Sequence, residues 1–492
     1  MLFSTLALSC LVGQGHGLRQ QVVHESIREG LDEDILHSPT SVRQQSPSKA
    51  LALLFLSSDQ PVAWQGLAPT GAIRGRVALK MSAATMDRAQ TVVQRPRKIA
   101  RKEKSVRLPV WPAWNGIIFI LLDFLGQKEL AAKAEDLFGG RVCPMMLNTA
   151  EADPFVLAVH HRHSFLKFDP FRAAFRFLLP EGFPAHPHRG FETLTYVLPG
   201  RRGLLHRDSM GLKMEYGDGE CQWMTAGSGI LHEEMWSNDN TDISDGGFVS
   251  DSELYQIWLN LPSNHKMTKP RIQLLRPTVQ QSASSAPPEE VAVIDLPTVS
   301  PSEGVSVRVL AGQVGDVASK VETFSDVSIM HTTIAPGSTW DLPLPADFTA
   351  MIYVRKGKSL VSSSTSGLQP MPLHELVVFE RADAPADAPP GTGPTASAAA
   401  ILPDGIRLSN AADDASDVAD VFLLAGRPLR EPVVSAGSFV MNTEAEIRQA
   451  QIDFSIGPLS RAWDHELPDD QWKSHVAETY RLSGLSPPKS VS

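Results

Sequence analysis

The sequence predicts an all-β protein of two tandem β-barrels with a few short helices, set behind a long N-terminal extension, and three observations predict it. Its 37 prolines in 492 residues favour turns and β-rich architecture over long helices. After Cys143 the chain breaks into short apolar or alternating runs, FVLAVHH, FETLTYVL, GLLHRDSM, CQWMTAG and LYQIWLNL, separated by Pro, Gly and Asp, which is how strands joined by turns read. A second set of similar length follows, VSVRVLAG, VSIMHTTIAPG, AMIYVRKGKSLV, LHELVVFE and VADVFLLAG, so the unit is present twice.

Residues 1–17 run apolar for about a dozen positions and end in small residues, as a secretory signal segment does. Residues 18–110 read as a disordered basic leader. Residues 1–110 carry 15 Lys and Arg against 8 Asp and Glu, a surplus of seven in a chain whose net charge is −10, and residues 38–86 hold one acid, Asp59. Acid-poor, Ser-rich, Arg-bearing composition is that of a transit peptide. The expected destination is an organelle such as a plastid, with the secretory route or the cytoplasm and nucleus as alternatives. Residues 111–145 read as a helical connector, with one helix over 116–138; its apolar patch is interrupted by Asp123, well short of the ~20 residues of a membrane span. The first barrel is expected over 146–275, a Pro/Ser-rich linker over 276–300, the second barrel over 301–430 and a helical segment over 431–475 that crosses back onto the first barrel. Residues 383–400, DAPADAPPGTGPTASAAA, read as an exposed insertion.

Several chemistries are excluded. The acidic body, −17 beyond residue 110, opposes direct nucleic-acid binding, which needs a clustered basic surface. Cys10, Cys143 and Cys221 are far apart without a CxxC, so neither a disulfide framework nor a zinc-thiolate site is indicated. There is no GxSxG elbow and no Walker-type loop.

The chemistry lies in FPAHPHRGFETLTYVLPG (183–200) and GSGILHEEMW (227–236). Two histidines at i and i+2 of an extended segment share one face of a sheet, so His186 and His188 can hold one ion together. His232 and Glu234 repeat the spacing on a later strand. Three imidazoles and a carboxylate leave two positions of an octahedral ion open, a set suited to one Fe(II) per chain, with Mn, Ni, Co or Cu as other occupants.

HPHRGFET, DSMG, QWMTAGSGILHEEM and the distant PLREPVVSAGSFVMNTEAEI (428–447) together resemble the pirin family, over roughly 153–472. The resemblance implies two cupin (jelly-roll type) barrels, with iron in the first on His186, His188, His232 and Glu234. Many cupins use instead the glutamate of the first motif, here Glu192; the pirin pattern places Glu234 ahead and leaves Glu192 and Glu233 hydrogen-bonding or solvated. The second barrel has DLPLPADFTAMIY where the histidine motif belongs, so no metal is expected there. HHRH, with His160, His161 and His163, departs from the more acidic segment usual in the family and reads as a polar strand end or pocket rim; His206 reads as a surface group or a support for a ligand.

Pirin-like sites are similar to those of quercetinases. The implied activity is therefore an Fe(II)-dependent dioxygenase acting on a flavonol-like or other enolisable aromatic substrate and O₂, with Glu234 as catalytic base and Phe183, Phe191, Trp223 and Met224 as an apolar wall. The alternative that the resemblance carries is a non-enzymatic, iron-dependent regulator binding a protein such as a transcription factor. A monomer is expected, because two barrels can cover each other's inner strands.

Overall fold

The computed structural model describes residues 93–105, 108–109, parts of 121–130, 140–166 apart from 146, 181–237, 249–278, 287–381 apart from 365, and 404–491 apart from 458. The signal-like segment, most of the leader, most of the connector helix and the 383–400 insertion lie outside them. Among the described residues no helix is long and apolar enough to cross a membrane.

The strands, in order, are β1 (Arg95–Pro96), β2 (Ile99–Lys104), β3 (Leu108–Pro109), β4 (Gly140–Met145), β5 (Phe155–Leu166), β6 (Gly182–His188), β7 (Phe191–Val197), β8 (Leu204–Asp208), β9 (Lys213–Tyr216), β10 (Cys221–Thr225), β11 (Ile230–Trp236), β12 (Val249–Asn260), β13 (Arg271–Pro277) and β14 (Ala292–Leu296). In the second half they are β15 (Thr298–Val299), β16 (Val305–Ala311), β17 (Gln313–Val314), β18 (Val317–Ala318), β19 (Val327–Ile334), β20 (Thr339–Pro343), β21 (Thr349–Lys356), β22 (Leu360–Ser364), β23 (Gly367–Pro370), β24 (Glu375–Phe379), β25 (Asp404–Asn410) and β26 (Ala419–Gly426). A hairpin of β27 (Val434–Ala436) and β28 (Phe439–Met441) precedes helices α1 (Glu444–Ile456) and α2 (Asp469–Leu482).

The first barrel is an eight-stranded sheet, β14-β13-β10-β7-β12-β5-β4-β3, facing a four-stranded one, β6-β11-β8-β9. The second pairs a seven-stranded sheet, β15-β16-β19-β26-β21-β24-β2, with a five-stranded one built on β25. The two large sheets pack against each other, and strand alternation shows how. On β7, Leu194 and Tyr196 join a core shared with Met351, Tyr353 and Phe422 of the second barrel, while Val197 turns into the first barrel's own core. On β21, Met351 and Tyr353 face the shared core; Ala350, Ile352 and Val354 fill the second barrel. A strand buried on both faces reads as a nearly continuous apolar run, and all of β26, ADVFLLAG, is buried, its one charge, Asp420, meeting Arg355 at 2.8 Å and His331 at 3.2 Å. Buried polar links lock the layers: Tyr196 Oη lies 2.9 Å from His331 Nδ1, and Glu253 lies 2.9 Å from His160 Nε2 and 3.2 Å from the Arg355 guanidinium.

Four boundaries differ from the sequence reading. Residues 95–104, assigned to the leader, are strands: β1 runs parallel to β25, and β2 pairs antiparallel with β24 at the edge of the second barrel's large sheet. Backbone hydrogen bonds fix an edge strand whatever its side chains, so basic composition does not prevent it. Residues 140–145, assigned to the helical connector, are β4, paired with β5. In the linker, Ala292–Leu296 extends the first barrel's sheet beside β13 and Thr298–Val299 starts the second's. The C-terminal segment begins with a hairpin and continues to Leu482 as two helices. Thr443 caps α1 in a capping box with Glu446, and α2 crosses back as expected, placing Trp472 against Leu231 of β11.

Candidate metal centre

β6 and β11 run antiparallel, with His186 opposite His232 and His188 opposite Ile230. Directly opposed side chains on one face are neighbours. The ring centroids of His186 and His232 are 4.4 Å apart, and those of His188 lie 4.8 Å from each. One ligand atom from each of the three lies within 4.8 Å of the others. His188 and His232 are buried; His186 keeps part of its surface at the mouth. Burial, and then the neighbouring imidazoles, hold His188 and His232 well below the ordinary histidine pKa, and burial lowers His186 too. They therefore stand neutral, the form that ligates metal.

The residues fit a divalent transition ion. Neither ring nitrogen of His188 or His232 has a hydrogen-bond partner although all four are buried, the Ser438 backbone beside His188 falling short of one. Each such group costs about 1–3 kcal/mol, and one nitrogen of each ring clusters with one of His186, where a single ion can take all three.

Glu234 faces the same cavity but is not in this cluster. The β6–β11 pairing shifts between His232 and Glu234, so Glu234 lies opposite Phe183, an irregularity that places it beyond the histidines. Its Oε1 accepts from Thr195 Oγ1 and Tyr216 Oη, both at 3.0 Å, and its Oε2 from Gln256 Nε2 at 2.9 Å. Its charge raises the His186 pKa against the effect of burial. Burial holds the Tyr216 phenol well above its ordinary pKa, so the hydroxyl stays a donor.

Glu192 points the other way. It lies opposite Thr225, whose hydroxyl donates to it at 2.6 Å, on the face of β7 and β10 that carries Leu194, Tyr196 and Trp223 into the shared core. It is fully buried, and burial raises its pKa to about 7. A folded-state value above the unfolded 4.5 means that stability falls as pH rises from about 4.5 to 7 and stays lowered above. Glu192→Gln is therefore expected to gain on wild type over that window, levelling at about 3 kcal/mol, with metal content unchanged. Urea midpoints across pH 4 to 8 measure it; a constant difference would place the carboxyl's ionisation elsewhere.

Other expected residues divide. His160, His161 and His163 do not end a strand; they lie mid-β5 and are buried, His160 toward the second barrel and His161 and His163 inward beside Phe183 and Trp236. His206 is buried, not at the surface: its ring is 5.4 Å from that of His232, and its Nε2 is 3.0 Å from Asp208. Asp208 Oδ1 accepts the backbone N–H groups of Met210 and Leu212, which explains the DSMG turn. Phe183 and Phe191 flank His186 and His188, and Met224 is inside the barrel. Trp223 is a correction: it packs in the inter-barrel core, one residue out of phase.

Sequence reasoning missed Thr195, Tyr216, Gln256 and Trp258, whose ring is 5.3 Å from His188 and 4.5 Å from Phe191. The period-two alternation of LYQIWLN puts Gln256 and Trp258 on one face, but only the register says which strand they meet. Arg189 was missed too. Its Nε donates to the Ser228 carbonyl at 2.7 Å, its terminal nitrogen meets Asp453 of α1 at 2.7 Å, and its backbone pairs with the β27–β28 hairpin. The next residue, Gly190, has φ +86°, and a side chain there would strike the Val440 carbonyl. The C-terminal segment thus closes over the ligand-bearing strands.

Comparison with known proteins agrees with this architecture. Two family models match, Pirin over residues 137–259 and the Pirin C-terminal cupin domain over residues 394–459. Pirin-like protein 2 of Arabidopsis thaliana is 35% identical over 294 residues, 59% of this chain and 75% of the relative. A pirin-like protein of Solanum lycopersicum is 33% identical over 340 residues, covering 68% and 94%, and human pirin is 32% identical over 290, covering 59% and 80%. Among solved structures, quercetin 2,3-dioxygenase from Acinetobacter baumannii superposes with a TM-score of 0.50 at 24% identity, covering 73% of this chain and 97% of that one, a likeness of fold.

Proposed function

The chain belongs to the pirin family, and on that premise we propose that it is an Fe(II)-dependent dioxygenase of quercetinase type, acting on a flavonol-like or other enolisable aromatic substrate. The observation that carries this reading is the pairing of three converging imidazoles, two of them buried without a partner and the third oriented by the Pro184 carbonyl, with a carboxylate that hydroxyl and amide donors hold beside them. Held by His186, His188 and His232 with Glu234 completing the set, the ion would supply a Lewis acid with open positions at which a deprotonated substrate and O₂ can combine.

The chain's own part is proton transfer and orientation. Glu234 Oε2 takes the proton of the substrate hydroxyl, while Thr195 and Tyr216 keep Oε1 fixed and so aim the other oxygen. Phe183, Phe191 and Trp258 give a planar ring apolar surfaces and keep water from the reacting carbon. Gln256, bonded to Oε2, follows the carboxyl as its protonation changes.

Oxygen uptake tests the reading. Full-length protein loaded anaerobically with Fe(II) is expected to consume O₂ on mixing with quercetin, and Glu234→Gln to cut the rate by about 10²- to 10⁴-fold. A metal-loaded wild type that takes up no oxygen would sink the proposal.

A further inference from the structure

The inward face of the first barrel carries more polarity than its protein contacts satisfy. Thr195 stands directly opposite Gln222 on one side and Gln256 on the other, so the three form a row across β10, β7 and β12. Thr195 and Gln256 bond Glu234; Gln222, fully buried, has neither amide atom bonded. It alternates with Cys221 and Trp223 of the inter-barrel core, so it points into the barrel that holds the metal centre. The buried polar atoms of Thr193, Trp236 and Trp258 on the same inner surface also lack partners. At about 1–3 kcal/mol each, these five atoms would cost as much as the whole stability of an ordinary domain. A polar guest must satisfy some of them. This face is reached from outside at the Gln256 end of the row, since Gln256 and Trp258 keep partial exposure while Tyr255, Ile257 and Leu259, alternating with them, have none to speak of.

The chemistry of these groups describes the guest. The two indoles only donate hydrogen bonds, the threonine hydroxyl does either, and a glutamine amide offers a donor and an acceptor side by side. That combination suits phenolic hydroxyls, which accept and donate, on an aromatic frame that the surrounding rings can stack. We propose that Gln222 is the distal anchor of the substrate cavity, receiving a hydroxyl of a polyhydroxylated aromatic whose enolisable end lies at Glu234 and the three histidines. This deepens the dioxygenase reading and rests on it.

Calorimetric titration of the full-length, anaerobic Fe(II) protein separates the two ideas. Quercetin, which carries ring hydroxyls remote from its enol, is the first probe, and 3-hydroxyflavone, which keeps the enol and lacks them, is the second. Wild type is expected to bind quercetin more tightly. Gln222→Leu is expected to weaken quercetin about tenfold, leave 3-hydroxyflavone within about twofold, and melt no lower than wild type, because an unsatisfied buried amide is removed. Equal weakening of both probes, or of neither, overturns the anchor: the first makes Gln222 a packing residue, the second the holder of an internal water. Binding of 3-hydroxyflavone with no preference for quercetin also overturns it and leaves the dioxygenase reading standing. If neither flavonol binds, both readings fail.

Discussion

His232→Ala is expected to lower metal content from one ion per chain to near zero after anaerobic loading and desalting, read by elemental analysis. His232 stands opposite His186 on the neighbouring strand, its ring 4.4 Å from that of His186 and 4.8 Å from that of His188, so its removal leaves two imidazoles on a single strand. Loss of a supporting group typically costs 10- to 100-fold in metal affinity, and loss of a ligand costs more. The Glu192→Gln protein is the matched control, altering a buried carboxyl on the opposite face of β7. Full metal content in His232→Ala would mean that the ion sits elsewhere. Loss of metal in both proteins would mean that Glu192 reaches the site, against the register.

Arg207→Ala is expected to destabilise the protein by about 3–5 kcal/mol, seen as a lower denaturant midpoint. Arg207 is 3% exposed on β8, and its Nε donates to Glu233, which is 1% exposed on the neighbouring strand. Its two terminal nitrogens donate to the carbonyls of Leu467 and His465, each at 2.7 Å, and its guanidinium lies over the Trp472 ring. One side chain thus neutralises a buried carboxylate and ties the segment before α2 to the strand bearing His232. The alanine leaves that carboxylate buried and unpaired, which costs far more than the pair itself contributes. Arg207→Ala combined with Glu233→Gln should recover much of the loss. A single-variant change under about 1 kcal/mol would show that Glu233 finds water once Arg207 is gone.

The pairing of His186 with His188, and of His232 with Glu234, was legible because a strand's period of two is a local property that needs no partner. The two-barrel plan was legible for the same reason, since apolar runs and turn residues mark strands one at a time. Register was not. Glu192 lies an even four residues after His188 and would share its face in an unbroken strand. The turn at Arg189 and Gly190 restarts the count, and β7 sends Glu192 into the inter-barrel core. Trp223 was misplaced by the same one-residue ambiguity. Glu234 has the right spacing, yet the shifted β6–β11 pairing gives its oxygens to Thr195, Tyr216 and Gln256, residues from three other strands. Residues 95–104 read as leader because composition reports what side chains prefer, whereas an edge strand is held by backbone groups that every sequence has. The sequence by itself determined which residues are candidates for the chemistry and that they lie on strands. Only the tertiary structure decided which face each strand turns inward, because that depends on turns, bulges and partner strands many residues away.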